Sequence, residues 1–359
     1  MRSKLLGMNP EELREAALGV GLPAFAGRQM ARWLYSRKVR SIDEMTDLSK
    51  AGREKLKEKY DLGVTLPQDC RLSRDGTKKY LFPVSCARVQ GLNACRQCRP
   101  AELEDSFVEA VMIPEEDRRT LCVSSQAGCR MDCKFCMTGR QGFHGHLSVA
   151  DILSQFIAVD EYADLSNAVF MGMGEPLDNS ENVLRAVEVL SADWGFAWSP
   201  KRITLSTIGV LPGLRRCLDG TRCHLAVSLH NPFPQEREVL MPAERAWPLR
   251  EVVAMLKEYD FTGQRRVSFE YTMFSGLNDD KRHADALIRL LDGLECRVNL
   301  IRFHKIPDAP YEPSPEIVME RFRDRIGRHG ITCTIRASRG EDILAACGML
   351  AGEHKEKLI

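Results

Sequence analysis

Three cysteines lie close together in the run Cys129-Arg-Met-Asp-Cys133-Lys-Phe-Cys136, directly after a stretch that predicts a β-strand. Three thiols do not complete the four-ligand set that a structural zinc ion prefers. A cubane iron-sulfur cluster held by three cysteinates keeps one iron open for a further ligand. In radical enzymes that ligand is S-adenosylmethionine (SAM), which chelates the open iron through its amino and carboxylate groups. The spacing therefore indicates a 4Fe-4S cluster with SAM, and the alternatives are buried core cysteines or half of a zinc site.

Length and composition agree with a large intracellular enzyme. The 359 residues are enough for an α/β core with an appended module. No apolar run approaches the roughly eighteen residues that cross a bilayer, and the first ten residues lack the apolar segment of a secretory signal. We therefore expect a cytoplasmic protein without a membrane segment. In that compartment thirteen cysteines indicate metal ligands, catalytic thiols and core residues rather than disulfides.

Residues 118 to 338 alternate β-rich runs with amphipathic helical segments. This alternation predicts an incomplete (βα)6-type parallel barrel, with an open sheet as the alternative. The predicted strands are Leu121–Ser125, Ala168–Met173, Ile203–Ser206, His224–Leu229, Val267–Tyr271, Val298–Phe303 and Thr332–Ile335. The predicted helices are Ser148–Tyr162, Ser180–Leu190, Leu249–Tyr259, Lys281–Leu291 and Pro315–Arg328, the first with a Ser148–Asp151 capping box.

We expect three parts along the chain. An N-terminal helical accessory domain occupies residues 1–100, the barrel occupies 101–336, and a C-terminal catalytic tail occupies 337–359. The first part contains five cations and two aromatic residues with no acidic residue among them, a mixture suited to phosphate contacts and base stacking. A solvated helix face is the alternative. These residues are Arg28, Arg32, Trp33, Tyr35, Arg37, Lys38 and Arg40.

Small and polar residues follow the predicted strands, where the active sites of parallel barrels lie. Backbone groups of Gly174 and Glu175 are candidates for binding the amino group of SAM. Side chains of the later strand ends are candidates for its carboxylate and ribose. Turn glycines and local caps are the structural alternatives. The later candidates are Ser206, Ser228 and His230, and Leu229 and His304 stand at the same strand ends.

Several runs resemble the RlmN/Cfr radical SAM RNA methyltransferases, in that family's order, from about Leu18 onward. The motif runs are Leu121-Cys-Val-Ser-Ser-Gln-Ala-Gly-Cys129 through Cys136-Met-Thr-Gly139, Gly172-Met-Gly-Glu-Pro-Leu177, Leu205-Ser-Thr207, Ser228-Leu-His230, and Ala337-Ser-Arg-Gly340 to Ala346-Cys-Gly348. Two N-terminal runs share the resemblance, Phe25-Ala-Gly-Arg-Gln-Met-Ala-Arg-Trp-Leu-Tyr35 and Asp43-Glu-Met-Thr-Asp-Leu-Ser49.

The resemblance implies that SAM is used twice, because adenine C2 is too electron-poor to attack a methyl group directly. Cys347 would take a methyl group from one SAM, and a second SAM would supply the radical that removes hydrogen from the S-methyl group. The carbon radical would add to C2 of adenine in 23S rRNA, and in tRNA too. Cys122 matches the thiol that helps to release the covalent adduct, and Glu109 matches the proton acceptor.

Two other functions stay open at this point. Cfr-like enzymes methylate C8 of the same base with the same thiols, and a non-catalytic iron-sulfur RNA-binding or electron-transfer protein is the alternative from another class. Without the resemblance, Cys347 and Cys122 are ordinary buried cysteines and Glu109 is the polar side of an alternating strand. The partners implied are RNA and an electron donor such as flavodoxin or ferredoxin, and we expect a monomer.

The sequence departs from the family in two places. His304 stands where many members have an asparagine that contacts SAM, and imidazole differs from an amide in geometry and protonation. The run Cys86-Ala-Arg-Val-Gln-Gly-Leu-Asn-Ala-Cys95-Arg-Gln-Cys98 is an apparent insertion before the barrel. It is either a second metal site completed by Cys70 or a surface loop.

Overall fold

The N-terminal module contains helices whose starting residues are recognisable caps. The Asn9 side chain accepts a hydrogen bond from the Glu12 amide, and the Glu12 carboxylate accepts one from the Asn9 amide, which completes a capping box. Ser49 caps the third helix in the simpler way, by accepting from the Gly52 amide. The computed structural model describes residues 2–84, 106–263 and 265–351. The elements of the module are strands β1 (Ser3–Lys4) and β2 (Tyr60–Asp61) and helices α1 (Pro10–Gly19), α2 (Ala26–Ala31) and α3 (Lys50–Lys59).

Within the residues that the structure describes, ten strands form the main sheet, and seven of them are parallel. Three antiparallel strands, β3 (Asp69–Leu72), β4 (Lys78–Val84) and β5 (Ser106–Pro114), extend one edge of it. The parallel strands are β6 (Arg119–Cys122), β9 (Asn167–Phe170), β10 (Ile203–Thr207), β11 (His224–Ser228), β12 (Val267–Met273), β13 (Arg297–Arg302) and β14 (Thr332–Ile335). Strands β7 (Gln126–Gly128) and β8 (Phe143–His146) form a separate hairpin beside the sheet.

The helices that connect the strands bury one face against the sheet. Helix α5 is buried along nearly its whole length, because the N-terminal module covers its outer side. Lys4 forms an ion pair with Asp151, and the Thr65 amide donates to Ser154, so the module is fixed to α5 by polar contacts as well. The helices are α4 (Met137–Arg140), α5 (Val149–Ile157), α6 (Ser180–Ser191), α7 (Leu211–Gly220), α8 (Pro234–Leu240), α9 (Leu249–Leu256), α10 (Lys281–Leu291) and α11 (Glu316–Gly327).

The predicted α/β fold is confirmed, with all seven predicted strands present as neighbours in one parallel run. The predicted strand Leu121–Ser125 is shorter in the structure, where β6 ends at Cys122. Helices α4, α7 and α8, the antiparallel strands β3 and β4, and the pair β7 and β8 were not predicted. The division of the chain at residues 100 and 336 stays a prediction. Within the described ranges, no helix has the length and apolarity needed to cross a membrane.

Residues 337–351, here named the tail, run from β14 back to the antiparallel edge of the sheet. The Gly340 amide donates to Asp75 Oδ2 at 3.0 Å in the turn between β3 and β4. The Ala351 amide donates to Glu109 Oε2 at 3.0 Å on β5. The tail therefore links the two edges of the sheet and carries Cys347 between them.

The basic run of the N-terminal module divides into two parts. Trp33 and Tyr35 are buried, and the Tyr35 hydroxyl bonds to Met8, so the expectation that these rings stack on RNA bases is wrong. Lys38 donates to the carbonyl of Tyr162, just beyond α5, and Arg40 donates to the carbonyl of Ile157, the last residue of α5, so both attach the module to the rest of the protein. The other three arginines are exposed and are named the arginine face; they are Arg28, Arg32 and Arg37.

Candidate active site

A cavity opens at the carboxyl ends of the parallel strands, as expected for a fold of this kind. It brings together most of the residues that the sequence singled out. Cys122, Glu109 and Leu229 do not line it. The predicted residues that do line it are Cys129, Cys133, Cys136, Gly174, Glu175, Ser206, Ser228, His230, His304 and Cys347.

The first three of these cysteines, here named the cluster triad, lie in the loop between β7 and α4 and on the wall of the cavity. Burial raises the pKa of the Cys133 thiol well above its usual value, and the nearby sulfurs of Cys136 and Cys129 raise it further. Metal binding would remove the free-energy cost of burying these cysteines as thiolates, because a bound cation replaces the thiol protons.

The triad fits a cubane cluster better than a single ion. Among the residues that the structure describes, no three His, Cys, Asp or Glu side chains are arranged to hold one metal ion. A cubane does not need such convergence, because each cysteinate binds a different iron. The set of three soft sulfur donors around one open cavity therefore suits a 4Fe-4S cluster with a free coordination position.

Glu175 is a buried carboxyl group at the end of β9. Burial raises its pKa to about 7 from an ordinary value of 4.5. Its oxygens accept from the amides of Leu177 at 3.0 Å and Ile208 at 2.9 Å, and among the described residues no cation pairs with it. A buried acid without a basic partner, on the wall of a cavity, is suited to bind a ligand that carries a cation.

A glutamine holds the Glu175 segment against the cluster loop. The Glu175 amide donates to Gln126 Oε1 at 2.8 Å, and the Gln126 side-chain amide donates to Asp178 at 2.7 Å. Gly174 lies so close that an added Cβ would stand 2.5 Å from the Gln126 Cβ, and its φ is +97°. Glycine is therefore required at this position for backbone approach as well as conformation.

His230 is a neutral imidazole with a fixed proton position. Burial, together with a smaller effect of Arg237, lowers its pKa to about 3. Its Nδ1 accepts from the Thr272 amide at 2.9 Å, so the ring carries its proton on Nε2. The ring packs edge-on against Phe135 of the cluster loop, with centroids 4.9 Å apart. His230 therefore offers one N–H donor at the cavity.

Arg237 on α8 is fully buried and supports the end of β11. Its guanidinium pairs with Glu244 and donates to the carbonyls of Leu229 at 2.9 Å and Ser228 at 2.8 Å. The Leu229 amide is also occupied, since it donates to the Glu270 carbonyl at 3.0 Å. Leu229 thus lies in the core behind the cavity wall. No pattern in the sequence separates Arg237 from an exposed helix charge.

The two candidate thiols lie near each other. Burial raises the pKa of Cys122 to about 12, and the proximity of Cys347 contributes in the same direction. Cys347 faces the open cavity from the tail, and the protein around it raises its pKa while the positive charge of Arg336 opposes the rise. Two hydrogen bonds fix the tail here: the Met137 amide donates to Gly348 at 2.8 Å and Thr138 donates to Leu350 at 2.7 Å.

Glu109 lies on β5 and is buried beside the tail. Its Oε1 is 2.9 Å from Lys79 Nζ, and its Oε2 accepts from the Ala351 amide. In the β5–β6 register Val111 is opposite Cys122, so Glu109 and Cys122 point to the same face of the sheet. No motif in the sequence distinguishes Lys79 from an exposed lysine.

The remaining predicted residues are His304 and the cysteines suggested as a second metal site. His304 lines the cavity, with Nε2 3.0 Å from the Ser338 hydroxyl of the tail, and burial lowers its pKa. Cys70 is exposed on β3. Its suggested metal partners Cys86, Cys95 and Cys98 lie outside the described residues.

Two family models match the chain. Residues 123–287 match the radical SAM superfamily. This range contains the cluster triad and the cavity residues Gly174, Glu175, Ser206, Ser228 and His230. Residues 3–62 match the N-terminal domain of the ribosomal RNA large subunit methyltransferases. Members of the radical SAM superfamily use SAM and a 4Fe-4S cluster, which agrees with the chemistry of the triad.

Whole-chain relatives give the same assignment. The "Probable dual-specificity RNA methyltransferase RlmN" of Porphyromonas gingivalis is 57% identical over 352 residues, which cover 98% of each chain. The "Dual-specificity RNA methyltransferase RlmN" of Syntrophus aciditrophicus is 38% identical and covers 99% of this chain and 98% of its own. The crystal structure of a radical SAM methyltransferase from Sphaerobacter thermophilus is 35% identical, with a TM-score of 0.88 over 98% of this chain and 100% of that one. The chain therefore belongs to the RlmN family of radical SAM RNA methyltransferases.

Proposed function

We propose that this enzyme methylates C2 of adenine in 23S rRNA, and in tRNA as well, through an S-methyl group carried on Cys347. The observation that supports this proposal most directly is the position of Cys347, on the wall of the same cavity as the cluster triad, with Cys122 nearby. A methyl-carrying thiol must meet both the SAM that methylates it and the radical that activates it. One cavity serves both encounters.

The residues of the cavity divide between cluster and SAM. The cluster triad would hold the 4Fe-4S cluster, and Gly174, Glu175, Ser206, Ser228 and His230 would bind SAM, with the Glu175 carboxylate balancing its ammonium group. When both groups are bound, the cluster supplies one electron, and two SAM molecules supply a methyl group and a 5′-deoxyadenosyl radical. His304 would contact SAM through a ring nitrogen, at the position where many family members have an asparagine amide.

The protein thiols carry the methyl group to RNA. Cys347 accepts the methyl group as a thiolate, and its S-methyl group then loses one hydrogen atom to the radical. The remaining S–CH2 radical carbon bonds to adenine C2, and the adduct loses one electron, which the bound cluster would take back, while Glu109 accepts the C2 proton. The Cys122 thiolate then attacks the Cys347 sulfur, so that an S–S bond forms while the S–CH2 bond breaks, and a proton from solvent completes the methyl group. An external thiol reductant would reopen the disulfide. In the product a C2–CH3 bond has replaced the C2–H bond.

The rest of the chain has supporting roles in this proposal. Residues 1–100 would dock RNA, with the arginine face contacting phosphates, residues 101–336 would form the catalytic barrel, and residues 337–359 would carry the acceptor thiol. An external one-electron donor, such as flavodoxin or ferredoxin, would reduce the cluster, and the enzyme would act as a monomer.

Anaerobic turnover with SAM, a reductant and ribosomal RNA tests the site of methylation. Nucleoside mass spectrometry against synthetic standards should find 2-methyladenosine. An 8-methyladenosine product would instead identify a Cfr-like enzyme. Absence of any methylated adenosine from enzyme with a reducible cluster would favour a non-catalytic role.

Variants of the two thiols test the route. Cys347→Ala should retain its cluster and form no methylated RNA, whereas Cys122→Ala should methylate Cys347 and then trap RNA in an adduct that survives denaturation. Cys217→Ala removes another buried thiol and is the control, with normal turnover expected. Normal turnover by Cys122→Ala, or an adduct on a cysteine other than Cys347, would contradict the assigned roles.

A further inference from the structure

Lys79 and Glu109 form a buried ion pair behind the acceptor thiol. Their side chains are only 10% and 5% exposed, and Nζ is 2.9 Å from Oε1. Lys79 Nζ also lies 3.3 Å from the carbonyl oxygen of Leu344, three residues before Cys347. One ammonium group therefore contacts both the carboxylate and the segment that carries the acceptor thiol.

The strand register places this pair in line with the second thiol. In the β4–β5 pairing Lys79 is opposite Val111, and in the β5–β6 pairing Val111 is opposite Cys122. Residues directly opposite each other point to the same face, so Lys79 and Cys122 share a face, and Glu109, two residues from Val111, shares it too. Three adjacent strands thus present the ammonium, the carboxylate and the thiol toward the tail.

The contacts of Glu109 restrict how its carboxylate can turn. A carboxylate has about four lone-pair positions, and here Lys79 and the Ala351 amide each occupy one. The Ala351 contact is made by the tail, whereas the Lys79 contact is made by the neighbouring strand. If the tail shifts when RNA binds, the Lys79 contact is the one that still orients the carboxylate.

We propose that Lys79 is a positioning residue for methyl transfer: it holds the Glu109 carboxylate toward C2 of the bound adenine, so that a free oxygen lone pair receives the C2 proton. This inference rests on the proposed role of Glu109. Lys79 acts through Glu109 and makes no bond to the base itself. Without the ammonium, the carboxylate would be a buried, unpaired charge and would reorient or attract water.

The experiment uses full-length enzyme with its cluster loaded and Cys347 methylated, in single turnover with SAM, reductant and RNA. Four quantities are measured: the S-methylcysteine consumed and the 5′-deoxyadenosine, protein–RNA adduct and methylated adenosine formed. The variants are Lys79→Met, Lys79→Arg, Glu109→Gln and the Lys79→Met/Glu109→Gln double variant. Lys78→Met is the matched control, because Lys78 is the neighbour on β4 and pairs instead with Asp160 and Glu161.

Glu109→Gln should form 5′-deoxyadenosine at the normal rate but release methylated RNA about 10²–10⁴-fold more slowly, the range that a positioned proton acceptor supplies. Lys79→Met should show the same pattern with a smaller loss, about tenfold or more, and the double variant should equal Glu109→Gln alone. Lys79→Arg should recover part of the loss, and Lys78→Met should match the wild type.

The possible outcomes distinguish a failure of the positioning role of Lys79 from a failure of the proposed role of Glu109. Losses that multiply in the double variant would show that Lys79 acts independently of Glu109, which overturns the inference. Lys79→Met that releases product normally, beside an impaired Glu109→Gln, would overturn it as well. Normal release by Glu109→Gln would instead remove Glu109 from the proposed function. A lower fraction of S-methylated Cys347 in purified Lys79→Met, with normal product release from the methylated fraction, would assign Lys79 to holding the tail alone and overturn the inference.

Discussion

Replacing Glu175 with glutamine should make the ligand-free protein more stable at alkaline pH. Burial raises the pKa of Glu175 from 4.5 to about 7, and no cation of the described chain offsets the charge. A carboxyl group whose pKa is higher in the folded state stabilises the fold below its unfolded pKa. That contribution is lost as the pH rises through the folded pKa. Ionised Glu175 therefore destabilises the ligand-free protein above neutral pH.

The size of this stability change follows from the shift in the pKa of Glu175. A difference of about 2.5 pKa units corresponds to about 3.4 kcal/mol, of which roughly 2 kcal/mol is lost between about pH 5.5 and pH 8. Glutamine removes the charge, but its amide nitrogen cannot accept a hydrogen bond, so one of the two amides of Leu177 and Ile208 loses its acceptor. That loss costs about 1 kcal/mol, so the net gain at about pH 8 is about 2 kcal/mol.

Urea unfolding of the apo protein at about pH 5.5 and pH 8 measures this difference. Glu175→Gln should lose less of its unfolding free energy between the two pH values than the wild type does. Glu58→Gln, which changes an exposed carboxylate, is the control and should follow the wild type. At the higher pH, saturating SAM should reduce the difference in unfolding free energy between the wild type and Glu175→Gln, because its ammonium group would pair with Glu175. Parallel pH profiles of wild type and Glu175→Gln would refute the assignment of a buried, unpaired acid.

Three further predictions concern other parts of the site. Anaerobically reconstituted protein should bind about four iron and four sulfide per chain, and an alanine at any position of the cluster triad should abolish this. Tight stoichiometric zinc with no iron would contradict it. Glutamine at all three positions of the arginine face should weaken RNA binding and flatten its salt dependence without changing SAM cleavage, as measured by titration at several salt concentrations. Arg237→Met should lower the unfolding free energy by about 3–5 kcal/mol, because Glu244 loses its buried partner, and an unchanged urea midpoint would contradict this.

The sequence predicted the elements whose local signals agree with their environment. Helix α10 and strand β14 have the predicted bounds, and the Ser148–Asp151 capping box is present at the start of α5. The cavity residues were found because the carboxyl ends of parallel strands meet at one edge of the sheet, so separate short motifs converge there.

Other features depend on contacts between distant segments, which periodicity does not contain. Arg237 is buried because Glu244 and the carbonyls of Ser228, Leu229 and Ile208 surround it, and nothing in its sequence neighbourhood indicates that. The pairing of Lys79 with Glu109 depends on the β4–β5 register. Trp33 resembled a stacking residue because it stands among arginines, but its ring lies in the core of the module.

The attachment of the tail to α4 would make cluster assembly and the placement of Cys347 linked equilibria. Gly348 and Leu350 are hydrogen bonded to the first residues of the helix that follows the last cysteine of the triad. A ligand that orders one partner of such a contact must favour the other by the same free energy. A chain that loses its cluster would therefore also loosen Cys347. Under the proposed function, an enzyme without its cluster would then not consume SAM to methylate Cys347, because no radical could activate that methyl group.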